Sequence, residues 1–221
     1  MTGFTQADAY GARHLEGQID YNILRKWIFV CAYKHQECSR RGNSRTRFSI
    51  KVIDCVDRRI LWRQTELKYV TLSYCWGQLQ RKRYTEGRLD GDLPPLIEDA
   101  IAVTINLGYR YLWVDYYCID QENPKEKADQ IALMDNIYGA SEVTIVAATE
   151  SGVEGRLPGV RPNSRPPTRI LSLSKKTYAI VMEPLLYDYR WITRGWTYQE
   201  VILAQRSILF FEEQVVFHCT Q

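Results

Sequence analysis

Apolar residues along this chain fall into short β-branched or aromatic runs separated by longer stretches with helical spacing. Residues 68–74, KYVTLSY, read as a buried strand. Leu96, Ala100, Val103 and Leu107 then recur at i, i+4, i+7 and i+11, after a helix start at Pro94 and Pro95 and before a C-terminal cap at Gly108. Tyr111 to Asp115 forms a second short apolar run that ends on an acid. Glu126 to Tyr138 reads as one helix, with Ile131, Met134 and Tyr138 on its inner stripe and Asp129 and Asp135 outside. Val143 to Ala148 is a third buried strand. This alternation of strand, helix, strand, helix and strand predicts an α/β fold with a doubly wound parallel sheet.

Simpler patterns flank that core. Asp8 to Glu37 reads as a helical extension, with Ile19, Ile23, Trp27 and Val30 on a common stripe. Arg40 to Arg45 is a Gly/Ser/Arg linker, which places an N-terminal extension at 1–46 and the main domain at 47–221, its core starting near residue 68. Phe48, Ile50 and Val52 alternate with polar residues, and a turn at Asp57 and Arg58 returns the chain through Ile60 to Arg63, a hairpin that flanks the sheet. Ser151 to Thr168 carries Gly152, Gly155, Gly159 and four prolines, so it is an irregular surface insertion. Ile170 to Val181 predicts a short hairpin. Ser207 to Phe211 and Val215 to Cys219 predict a final one.

At 221 residues the chain has room for one sizeable domain with extensions. Its 45% hydrophobic and 25% charged content is ordinary for a soluble protein, no run is long enough to span a bilayer, and residues 1–20 lack the order of a signal peptide. A cytosolic location is the default expectation. The net charge of +3 is too small to argue for nucleic acid, and the basic clusters at Arg40 to Arg47 and Gln80 to Arg83 read as solvated loops. Six dispersed cysteines read as reduced thiols. The chain ends just after a predicted strand, which suggests a minimal protein or a truncated one.

Three features bear on chemistry. Cys31, His35 and Cys38 fall at i, i+4 and i+7 on one helical face, three potential zinc ligands that His14 or a distant cysteine would complete; polar-edged helix packing is the simpler reading, and no metal is assigned. Tyr74, Trp76, Gly77 and Asp115 lie at the carboxyl ends of predicted parallel strands, where α/β sheets bind ligands. Cys118, in the following loop, would need a base that no nearby histidine supplies. Finally, if RGWTYQE at 194–200 is helical, Trp196, Gln199, Glu200 and Leu203 share one face, so Glu200 is either a satisfied structural acid or a site. Walker, GxGxxG and GxSxG motifs are lacking.

Four blocks in this order resemble the fungal heterokaryon-incompatibility (HET) domain: YVTLSYCWG at 69–77, LGYRYLWVDYYCIDQ at 107–121, Gln130 to Ala148 with Met134, Ile137, Tyr138 and Ala140, and RGWTYQE at 194–200. HET domains are in turn similar to TIR domains, which implies a TIR-like, flavodoxin-like sheet. The Trp196 to Glu200 spacing is similar to that of the TIR helix carrying the catalytic glutamate of NAD hydrolases, although the insertion from Ser151 to Ile192 is longer than in a TIR domain. The resemblance implies programmed cell death by cleavage of the nicotinamide–ribose bond of NAD, with NAD as substrate and no cofactor. Glu200 would be catalytic, and Tyr74, Trp76, Gly77, Asp115, Arg194, Trp196 and Gln199 would contact NAD. It also implies homo-oligomerisation on activation and protein partners in incompatibility signalling, with neither nucleic acid nor membrane. The alternative is a non-enzymatic death-signalling module that acts by self-assembly and recruitment.

Overall fold

The computed structural model describes residues 17–38, 47–76, 87–89, 93–149, 152–166, 170–173, 176–179, 191 and 200–220. Its strands are β1 (Ser49–Asp54), β2 (Arg59–Gln64), β3 (Tyr69–Ser73), β4 (Gly87–Arg88), β5 (Tyr111–Trp113), β6 (Val143–Ala147), β7 (Ile170–Leu173), β8 (Lys176–Ala179), β9 (Arg206–Phe210) and β10 (Val215–Cys219). The helices are α1 (Tyr21–Lys34), α2 (Pro95–Asn106), α3 (Asp115–Cys118), α4 (Pro124–Ala132) and α5 (Met134–Ala140).

Eight strands form one mixed sheet in the order β10-β9-β6-β3-β5-β1-β2-β4. β9, β6, β3 and β5 are mutually parallel neighbours, and antiparallel strands extend the sheet on both sides. β7 and β8 pair separately as the predicted hairpin. Every residue of β3, β6 and β9 is buried, as expected of strands covered on both faces. The two threonines of β3 and β6 pair with each other: Thr71 Oγ1 lies 2.7 Å from Thr144 Oγ1 on the adjacent strand and 3.3 Å from Ser141 Oγ. Lys51, buried on β1, bonds Glu126 Oε1 at 2.5 Å, so its charge does not go uncompensated.

α2 follows its sequence pattern. Pro95 occupies the first turn, and Leu96, Ala100, Val103 and Leu107 are all buried. Gly108 takes φ +92°, its N–H bonds the Ile105 carbonyl, and Tyr109 N–H bonds the Thr104 carbonyl, which closes the helix in a left-handed cap that a side chain would strain. Asp99 on α2 is fully buried and holds the 152–166 segment over the helix: it accepts from Arg161 Nε at 2.9 Å and Leu157 N at 3.2 Å, with Arg156 Nη1 at 3.5 Å.

Three expectations need correction. The first helix begins at Tyr21, capped by the Asp20 carboxylate on Asn22 N–H, and buries Leu24, Ile28 and Cys31; the stripe of Ile23, Trp27 and Val30 is only half-buried beside it. Residues 1–16 lie outside the described residues. The helix expected from Glu126 to Tyr138 is two helices separated at Leu133, and the break turns Ile131 out to solvent while Ile137 and Tyr138 turn in. The third correction concerns β9, which is a fourth parallel strand against β6 as well as one arm of the final hairpin.

Candidate active site

The carboxyl ends of β3, β5 and β6 lie side by side, because Thr71 is in register with Trp113 and Ser73 with Val146. Tyr74 leaves β3 buried, and Trp76 is half-exposed two residues later. Past the end of β5, Val114 ends the extended run and Asp115 opens the helical turn α3. Asp115 is therefore a first-turn acid rather than the last residue of the strand. Its Oδ1 accepts from Tyr116 N–H at 2.7 Å, and its Oδ2 accepts from Trp76 Nε1 at 2.8 Å. The Tyr116 ring meets the Trp76 ring edge-on at 5.4 Å. Two of the expected residues, Trp76 and Asp115, are thus in direct contact.

Glu200 lies in a helical turn that includes residues 200–203 and is only 6% exposed. Its neighbour is Tyr138 of α5. The Tyr138 hydroxyl donates to the Leu72 carbonyl of β3 at 3.4 Å, and Glu200 lies near enough to act on it electrostatically. Burial, the negative charges of Glu200 and Asp115, and the nearby Tyr74 push the Tyr138 hydroxyl well above its usual value, so it stays protonated and donates. Tyr138, Glu200, Asp115 and Tyr74 therefore share one electrostatic neighbourhood at the end of β3.

Trp191 marks where the chain returns towards Glu200. Its ring is buried, and Nε1 donates to Ser73 Oγ, at the last residue of β3, at 2.9 Å. It packs with Cys75, Val146, Ala148, Leu209 and Phe211 in a small apolar cluster separate from the main core. Gly152, at φ +54°, lets the insertion start close against the same strand end, since a Cβ there would come within 3.1 Å of the Cys75 carbonyl.

Of the residues expected from sequence, Tyr74, Trp76, Asp115 and Glu200 have described positions; Gly77, Arg194, Trp196 and Gln199 lie outside the described residues. Sequence reasoning placed Tyr138 on a packing stripe and did not single out Trp191. The signal available for Tyr138 was a hydroxyl on an otherwise apolar face, which burial obliges to find a partner. Cys118 is not activated. It is sealed in the core, Val114 N–H points at its sulfur from 3.4 Å, and burial pushes the thiol up to about 12. A polar cleft of about 550 Å³ lies elsewhere, against α1, α2 and residues 160–162, and touches none of these groups.

Among the described residues, no helix is long and apolar enough to cross a membrane. No curated protein matches the chain, and neither does any solved structure. The family model described as heterokaryon incompatibility protein (HET) matches residues 69–200, more than half of the chain. That span opens on the first residue of β3 and closes on Glu200, the two poles of the cluster above. The chain belongs to the heterokaryon incompatibility (HET) family.

Proposed function

We propose that this protein acts in heterokaryon incompatibility as a TIR-like NAD hydrolase, with Glu200 as its catalytic carboxylate. The observation that carries the proposal is the buried Glu200 next to Tyr138 at the carboxyl end of β3, in the neighbourhood of Asp115 and Tyr74. Strand order supports it. In chain order, the parallel strands β5-β3-β6-β9 run second, first, third, fourth, the order of flavodoxin-like sheets, whose ligands bind at the switch point between the first and third strands. Right-handed crossovers from β3 to β5 and from β5 to β6 would put α2 and the α4–α5 pair on opposite faces of such a sheet.

Cleavage of the nicotinamide–ribose bond passes through an oxocarbenium-like transition state. Nicotinamide departs with the electron pair of the C–N bond, a water oxygen bonds the anomeric carbon, and the water proton is released, giving ADP-ribose and nicotinamide. Glu200 would bind the ribose hydroxyls and, as a carboxylate, stabilise the positive charge as it develops. Trp76, braced through its ring N–H by Asp115, offers a half-exposed aromatic face for a ring of the substrate. Tyr74 would line the same end. Gly77 and Gln199 would help shape and orient the site, Trp196 would offer a second ring, and Arg194 would meet a phosphate.

One observation favours a second reading. Glu200 is nearly sealed within the fold beside Tyr138, which suits a structural acid in a module that signals by self-assembly and partner recruitment. Incubating NAD with protein concentrated enough to self-associate, beside Glu200→Gln, separates the two readings. The enzymatic one expects nicotinamide release from the parent protein alone. Equal release by a folded Glu200→Gln protein would assign the carboxylate to structure.

A further inference from the structure

Cys31 lies in the last turn of α1, His35 caps that helix, and Cys38 follows in a short helical turn over residues 36–38. Sheet pairing brings a fourth group to them from the far end of the chain, because β10 ends on Cys219. One ligand atom from each of the four lies within 4.8 Å of all the others. His35 Nδ1 is 3.3 Å from Cys219 Sγ. Tetrahedral zinc with sulfur at about 2.3 Å and nitrogen at about 2.0–2.1 Å requires ligand atoms roughly 3.5–3.8 Å apart. The four side chains match that separation closely enough for small side-chain adjustments to close the set. None of the three sulfurs is in a disulfide.

Arg206 gives an independent indication. This first residue of β9 is 4% exposed, and its Nε points at Cys31 Sγ from 3.2 Å. Its Nη1 bonds the Glu142 carbonyl at 3.2 Å, and among the described residues no carboxylate pairs with it. A buried guanidinium facing a neutral thiol is poorly compensated. Three thiolates, one imidazole and one divalent ion carry a net charge of −1, which is the charge Arg206 lacks. Thr220 Oγ1 lies 3.4 Å from Cys38 Sγ and can donate to that sulfur, the kind of outer contact that orients a metal-bound thiolate.

We propose that Cys31, His35, Cys38 and Cys219 bind one zinc ion in a closed structural site that fastens the N-terminal helix to β10, the terminal strand of the sheet. Soft sulfur with one imidazole suits zinc, and four protein ligands leave no position for substrate. The ion would reinforce a join otherwise made by packing such as Trp27 against Phe217, whose ring centres are 6.1 Å apart. Because the ligands come from segments far apart in the sequence, the site assembles only when β10 has paired and α1 has docked.

The test is metal content together with cobalt substitution on the full chain. Protein purified without chelator is expected to hold close to one zinc per chain. Replacement by Co²⁺ is expected to give the intense visible bands of a tetrahedral site and a thiolate-to-metal charge-transfer band. Cys38→Ser and Cys219→Ser should each weaken zinc binding by more than roughly tenfold, His35→Cys should retain the metal with a fourth sulfur, and Cys75→Ala should leave stoichiometry unchanged. If the serine variants do not fold, the parent cobalt spectrum still decides. Parent protein that holds no zinc after refolding with equimolar metal, or cobalt protein with a weak octahedral spectrum, overturns the proposal.

Discussion

Replacing Tyr138 with phenylalanine removes one oxygen from the base of the candidate site and leaves the remaining packing in place. The Tyr138 side chain is 1% exposed, and its ring meets Trp113 edge-on at 5.5 Å, a contact that phenylalanine keeps. What is lost is the hydroxyl, which donates to the Leu72 carbonyl at 3.4 Å and lies in the electrostatic neighbourhood of Glu200. Depriving buried polar groups of such a neighbour costs about 1–3 kcal/mol. For a chain of this length that corresponds to a Tm lower by roughly 2–12 °C. Urea unfolding followed by circular dichroism, in a cycle of Tyr138→Phe, Glu200→Ala and the double variant, should give a coupling energy of at least about 1 kcal/mol. A pH series adds a signed test. The folded-state phenol titrates well above its unfolded value, so the stability it contributes is complete below about pH 10 and is lost as pH rises beyond that. Tyr138→Phe lacks this component, and the gap between the two proteins should narrow in strong alkali. Additive single variants, or a Tm within about 1 °C of the parent, would refute the juxtaposition on which the site is built.

Other outcomes follow from the same contacts. Asp99 is wholly buried whereas Arg161 and Arg156 are about half-exposed, so Arg161→Met, which deprives a buried carboxylate of its closest partner, should cost about 3–5 kcal/mol. Asp99→Asn leaves two guanidinium groups that reach water and should cost about 1–2 kcal/mol; denaturant titration that finds the reverse order contradicts this account of the 152–166 segment. Trp191→Phe strips the donor from the buried Ser73 hydroxyl and should cost about 1–2 kcal/mol, with reduced protection of β3 amides in hydrogen exchange. Cys55 and Cys118 are both raised by burial to about 12 in the folded protein, so their stabilising contribution holds below about pH 9 and declines by about 1.4 kcal/mol per pH unit per thiol above it. Cys55→Ala/Cys118→Ala should flatten that alkaline slope in urea titrations, even though its stability at pH 7 is lower.

Local signals made much of this fold legible. Pro95 and Gly108 bound α2 because proline tolerates the first turn and glycine the left-handed cap, and the β-branched, aromatic and mostly apolar runs of β3 and β6 match their buried, central places in the sheet. Long-range pairing was not legible. Ser207 to Phe210 reads like any hairpin arm joined to Val215 to Cys219, and nothing nearby reveals that Ile208 also lies beside Ile145. The turn of Ile131 to solvent depends on a break at Leu133, a residue with ordinary helix propensity, so periodicity alone carried the helix through. Strand ends and motif spacing pointed to Tyr74, Trp76, Asp115 and Glu200 in advance. Tyr138 and Trp191 join that neighbourhood only through tertiary contacts, as Cys219 joins Cys31, His35 and Cys38.

The central claim is that Glu200 performs chemistry on NAD. It is tested most directly by chromatographic measurement of nicotinamide and ADP-ribose released from NAD by self-associated parent protein and by Glu200→Gln. Glutamine preserves the volume and keeps a polar oxygen beside Tyr138, so the variant should unfold within about 1 kcal/mol of the parent. The account predicts equimolar nicotinamide and ADP-ribose from the parent, and release slower by at least about a hundredfold from the variant at matched folding and assembly. Release at the same rate by both proteins, or by neither when assembly is complete, would contradict it.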